Sequence, residues 1–148
     1  MARPTGQGVG EADTPLWLSH HAPVQYDRCT VIGRRHVCRR CLFLYPIALA
    51  FAVVSCAGLR PASAVELLVL ALLPLPAVID WWLEHLGRST YEPRRQILVT
   101  IPAGVALGVG FGRYLRHPAD PAFWAMVLVY GGSCAAVALW RFLEENAP

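Results

Sequence analysis

Two thiols three residues apart, Cys38 and Cys41, stand in the stretch His36-Val37-Cys38-Arg39-Arg40-Cys41. This spacing lets two thiolates reach one metal ion from a single turn. Arg34, Arg35, Arg39 and Arg40 flank the pair, and neighbouring positive charge stabilises a thiolate. Tetrahedral zinc takes four ligands. Cys29, His36, His20 and His21 are the upstream candidates for the remaining two. His36, two positions before Cys38, either ligates or lines the site. Two other chemistries are open to the same residues: dithiol–disulfide exchange by Cys38 and Cys41, or no chemistry, with inert thiols at a helix entrance.

What positions this stretch is an apolar run that begins directly after Cys41 and lasts to Leu59. The 148-residue chain is 55% hydrophobic and only 16% charged, with a mean hydropathy of +0.42. Soluble domains carry about 25% charged residues, so the shortfall points to a membrane protein. All 13 basic residues are arginine and cluster beside apolar segments, which favours anionic lipid headgroups over nucleic acid. No nucleic-acid-binding motif is present. Five cysteines without regular spacing argue against a secreted disulfide framework. The start of the chain lacks the pattern of a removable signal peptide.

Residues 1–15 read as a disordered tail rich in Gly, Pro, Thr and acidic side chains. Residues 16–41 form a Cys/His/Arg-rich segment, too polar to span a bilayer and too short for its own core. A four-helix membrane domain follows over 42–140, with spans at 42–59, 64–83, 97–114 and 122–140, each near the roughly 20 residues a spanning helix needs. Residues 141–148 make a second tail. Arg28, Arg34, Arg35, Arg39, Arg40, Arg88, Arg94, Arg95 and Arg141 would flank one face, against Arg60, Arg113 and Arg116 on the other. The excess of positive charge places the first face, and both termini, in the cytoplasm. The fold class expected is thus an all-α integral membrane protein, with four transmembrane helices and a Cys/His-rich cytoplasmic cap over the Trp81 to Gln96 loop.

Inside the spans, Gly104, Gly108 and Gly112 recur every four residues and form a smooth stripe for close helix packing. The small residues Gly131, Gly132, Ser133, Ala135 and Ala136 offer a partner surface within the chain, and the same stripe could instead receive another copy or a membrane partner. Pro74, Pro76 and Pro102 should bend their helices. Glu66 is expected to snorkel at the outer boundary, and Cys56 and Cys134 to be packing residues. Asp80 ends a long apolar run, where a carboxylate needs a partner. Arg88, Arg94, Arg95 and His85 are the candidates, and Asp80, His85, Arg88 and Arg95 are read as supporting the cysteine site.

The ordered motifs resemble the DUF2085 family of small bacterial membrane proteins. The residues that carry the resemblance are His20-His21, Cys38-Arg39-Arg40-Cys41-Leu42-Phe43-Leu44-Tyr45, Ile79-Asp80, Gly87-Arg88-Ser89-Thr90, Arg94-Arg95 and the run from Gly104 to Gly112. His20 stands where the family has cysteine, Phe43-Leu44-Tyr45 where it has Gly-Ile-Tyr, and Cys29 has no counterpart. The resemblance implies a bacterial plasma-membrane location and brings no activity with it. The leading expectation is a multi-pass membrane protein of unknown activity with a zinc site built on His36, Cys38 and Cys41 at the cytoplasmic face. A membrane thiol–disulfide oxidoreductase using the same two cysteines is the rival, and a small transporter with Glu66 and Asp80 on its path comes third.

Overall fold

The computed structural model describes residues 23–59 and 61–147, so His20 and His21 lie outside the described residues. The chain divides into two compact units, Met1–Arg39 and Arg40–Pro148.

The first unit contains a 3-10 turn, Pro23–Arg28, and two antiparallel strands, β1 (Cys29–Ile32) and β2 (Arg35–Cys38). Thr30, Val31 and Ile32 favour extended backbone, and Gly33 then adopts φ +65°, a turn conformation that glycine takes without strain. The register pairs Cys29 with Cys38, Thr30 with Val37, Val31 with His36 and Ile32 with Arg35. The all-α fold class is qualified here: within residues 16–41, assigned no secondary structure from the sequence, a short hairpin signalled by β-branched residues near Gly33 occupies 29–38.

The second unit is helical. The helices are α1 (Arg39–Cys56, whose first residue belongs to the first unit), α2 (Ser63–Leu72), α3 (Leu75–His85), α4 (Pro93–Arg116), α5 (Pro121–Met126) and α6 (Gly132–Glu145). Four stretches are long and apolar enough to cross a membrane: Arg39–Cys56, Ser63–His85, Pro93–Arg116 and Pro121–Glu144. The second is broken between α2 and α3, where Pro74 and Pro76 provide no amide donor. The fourth carries a π-turn, Val127–Gly131, between α5 and α6. These two irregularities meet, because the Tyr130 hydroxyl donates to the Ala71 carbonyl at the proline break. A freed backbone acceptor is thereby satisfied by a side chain from another helix.

Packing is concentrated on α4. Leu70, Val109, Phe123 and Met126 form the buried apolar cluster that joins α2, α4 and α5. On another face of α4 the glycine stripe meets α1, not the fourth span. A Cβ added at Gly104 would lie 3.0 Å from Ile47, and one at Gly112 would lie 2.6 Å from Ser55. At Gly108 it would lie 2.7 Å from Phe51 Cβ and closer still to the Ala48 carbonyl. Gly131 and Gly132, by contrast, have no atom within 4 Å of such a Cβ, so they are not the stripe's partner. Large apolar side chains such as Leu49, Leu98, Leu128 and Leu143 remain exposed around the bundle.

Gly108→Ala should therefore separate α1 from α4 and cost about 1–3 kcal/mol, the usual range for overpacking, whereas Gly131→Ala should be neutral. Thermal midpoints of the purified variants test this, and equal midpoints would remove the stripe as the packing determinant.

Candidate functional site

The hairpin explains Cys29, which has no place in the motif order of the sequence. Cys29 and Cys38 face each other across β1 and β2, at 6% and 2% exposure, and both are thiols. Since side chains alternate along a strand, His36 shares their face. Its ring stacks on Tyr26 with centroids 3.9 Å apart, and its Nδ1 is enclosed with no hydrogen-bond partner among the described residues. Arg39 ties the strand to the start of α1, donating from Nη2 to the Cys29 carbonyl at 3.2 Å and from Nε to Thr30 Oγ1 at 3.4 Å. Cys41 lies in the first turn of α1 and is partly exposed. Among the described residues no three His, Cys, Asp or Glu side chains are gathered closely enough to hold a metal ion.

Asp80 is buried at 7% exposure in the middle of α3 and is paired, as a buried carboxylate demands. Of the expected partners only Arg95 pairs with it, and Arg40 joins unannounced. Arg95 Nε donates to Oδ1 at 2.5 Å, and Arg40, at the start of α1, stands 3.6 Å from Oδ2. Arg88 and Arg94 are exposed and are not among the carboxylate's ion-pair partners. His85 does not join either; its Nδ1 meets the Trp81 carbonyl at 2.9 Å and its ring stacks on Trp81. Arg95 further donates from Nη2 to the Thr90 carbonyl at 2.7 Å and to Ser89 Oγ at 3.4 Å. One guanidinium thus fastens the turn after α3, where Gly87 takes φ +68°, to a buried charge.

A second cluster, which the sequence reading missed, occupies the opposite ends of the same helices. Glu66 does not snorkel. It is 3% exposed, in the first turn of α2, and Arg113 Nη1 donates to its Oε2 at 2.6 Å. Arg113 also grips Asp120 with two bonds, Nε to Oδ1 at 3.0 Å and Nη2 to Oδ2 at 2.8 Å. Asp120 is the N-cap of α5 and accepts from the Phe123 amide at 2.9 Å. Nearby Arg116 Nη1 donates to the Ser55 carbonyl and Oγ at 2.8 and 2.9 Å. The available signal was an Asp directly before a proline-led helix, a capping pattern, seven residues after an arginine. Cys56 and Cys134 are not core residues: Cys56 is exposed and Cys134 half-buried.

The hydrogen bonds from Arg113, ahead of the bond from the Phe123 amide, hold the Asp120 carboxyl below the usual carboxylate range. Comparison of the chain with known protein families, with characterised proteins and with solved structures finds no match.

Two outcomes are expected. Arg95→Ala leaves Asp80 with only the distant Arg40. Because Arg95 is 35% exposed, the loss should fall at the low end of the roughly 3–5 kcal/mol for breaking a buried pair. The turn at residues 86–92 should become protease-sensitive, while Arg88→Ala changes nothing; identical digestion of the two variants would refute the clip. Asp120→Asn keeps a capping side chain but removes the charge. A depressed folded-state value means the pair stabilises above the ordinary carboxylate range, and its contribution is lost as pH falls through that folded value. Wild-type thermal midpoints should thus drop on acidification below about pH 4, and those of the variant, lower at neutral pH, should drop less. Parallel pH curves would exclude this role.

Proposed function

We propose that this chain is a multi-pass membrane protein of the bacterial plasma membrane with both termini cytoplasmic, and that its N-terminal hairpin carries a zinc site. Cys38 and Cys41 provide the Cys-x-x-Cys pair, and two further ligands come from Cys29, His36, His20 and His21. The observation that carries the reading is the buried Cys29–Cys38 pair at the base of a hairpin with almost no core of its own. Val31 and Ile32 are 61% and 51% exposed, and an isolated two-stranded hairpin is marginal in water. A metal held by strand-end thiolates supplies the missing stability, as structural zinc does in small domains.

The membrane reading is supported by four apolar helices and by the exposed leucines that ring them. Arginine asymmetry supports the orientation, which would keep the thiols reduced and favours a ligand role over a structural disulfide. The motif resemblance to the DUF2085 family is consistent with this topology. Bound zinc would act structurally here, fixing the hairpin at the entrance to α1. The glycine stripe is used by α1, which leaves the outer apolar faces, not the stripe, for a second copy.

Elemental mass spectrometry on detergent-purified protein should find about one zinc per chain. Cys38→Ser with Cys41→Ser should remove it, and Cys29→Ser should weaken its retention against a chelator. Metal-free protein whose cysteines oxidise reversibly in membranes would overturn the zinc site in favour of a thiol–disulfide oxidoreductase.

A further inference from the structure

At the boundary where α1 and α4 end and α2 begins, a crevice of about 150 Å³ lies between these three helices. Phe51, Val54, Val69, Val105 and Val109 make its walls apolar, and two buried polar residues, Ser55 and Glu66, interrupt them. Glu66 commits only Oε2 to Arg113. Its Oε1 is enclosed and has no hydrogen-bond partner among the described residues. A buried carboxylate oxygen without a donor is costly, and Arg113 does not serve it: its Nη1 bonds Oε2, while Nε and Nη2 turn to Asp120. Around Arg113 two carboxylates face one guanidinium, so a further cation is favoured there. Arg116 adjoins the crevice through Ser55, using Nη1; Nε and Nη2 make no hydrogen bond to the described residues.

We propose that this crevice binds one phospholipid with a primary ammonium headgroup, of the phosphatidylethanolamine type. The ammonium donates to Glu66 Oε1, the phosphate accepts from Arg116, and one acyl chain lies along the valine-lined walls. The headgroup's two charges answer the two unmet demands of the site. Phosphatidylglycerol brings no cation to Glu66, and phosphatidylcholine brings a cation with no N–H to donate. The polar residues Ser55, Glu66, Arg113 and Arg116 occupy the last turns of α1 and α4 and the first turn of α2, where a headgroup would lie, and the apolar walls at Phe51, Val105 and Val109 lie deeper along the helices. The inference rests on the reading of these helices as membrane spans.

The test is native mass spectrometry of the full chain released from nanodiscs. The discs contain equal amounts of phosphatidylethanolamine, phosphatidylglycerol and phosphatidylcholine with identical acyl chains. Retained lipid should be enriched in phosphatidylethanolamine about tenfold over either competitor, equivalent to about 1.4 kcal/mol. Glu66→Gln should abolish the enrichment. Val105→Phe, which fills the crevice without touching the charges, should reduce it, and decides the matter with the wild type if Glu66→Gln does not fold. Incorporation with retained lipid mirroring the supplied mixture, or enriched in phosphatidylglycerol, overturns the site alone. A chain that does not enter nanodiscs overturns the site together with the membrane reading.

Discussion

The close approach of α1 to α4 is the constraint on which the second unit depends. Helix association in a lipid environment has no hydrophobic drive and relies on contact packing and polar bonds. Gly104, Gly108 and Gly112 let the α1 backbone come near enough for both. The seam also brings the ends of the two helices together. At one end Arg40 of α1 and Arg95 of α4 share Asp80. At the other, Ser55 of α1 receives Arg116 of α4, beside the Arg113 cluster. Each cluster takes its arginines from the terminal turns of α1 and α4; were these helices to cross a membrane, the cations would stand near its boundaries, where desolvation costs less than at mid-depth.

How much of this was legible depended on the range of the interactions. The four apolar runs gave the four helical stretches, because hydrophobicity over about 20 residues is a strong signal. The helices extend beyond several apolar limits, to Arg39, Pro93 and Arg116, since arginine propagates a helix as readily as leucine does. The glycine period revealed a packing face but not its occupant; small residues at 131–136 suggested a partner by composition, and composition carries no direction. Asp80 was recognisable as a residue in need of a cation. The choice of Arg40 over Arg88 was not, because it depends on how α1 lies against α3. Glu66 and Asp120 were opaque for the same reason: Arg113 joins residues 47 and 7 positions away. The hairpin was missed through weighing the cysteines as ligands before Gly33 and its β-branched neighbours as a turn.

The irregular segments are coupled as well. Pro74 and Pro76 interrupt the second span, the π-turn at Val127–Gly131 displaces Tyr130 from a regular helical register, and that tyrosine bonds to the carbonyl of Ala71. Either defect alone would leave unsatisfied backbone in an apolar setting. Together they form one latch between the second and fourth spans, independent of the charged clusters at the boundaries.

The unequal lengths of the two helices at the glycine seam have a mechanical consequence. α1 has 18 residues and α4 has 24, which correspond to about 27 Å and 36 Å of helix. The surplus lies in the charged ends of α4, which carry Arg94 and Arg95 at the start and Arg113 and Arg116 at the finish, and the uncharged stretches of the two helices, 41–56 and 96–112, are nearly equal. Were these helices to cross a membrane, the extra turns of α4 would stand beyond the hydrocarbon rather than strain it, and each would act as a charged post holding the loops of its own face clear of the lipid tails.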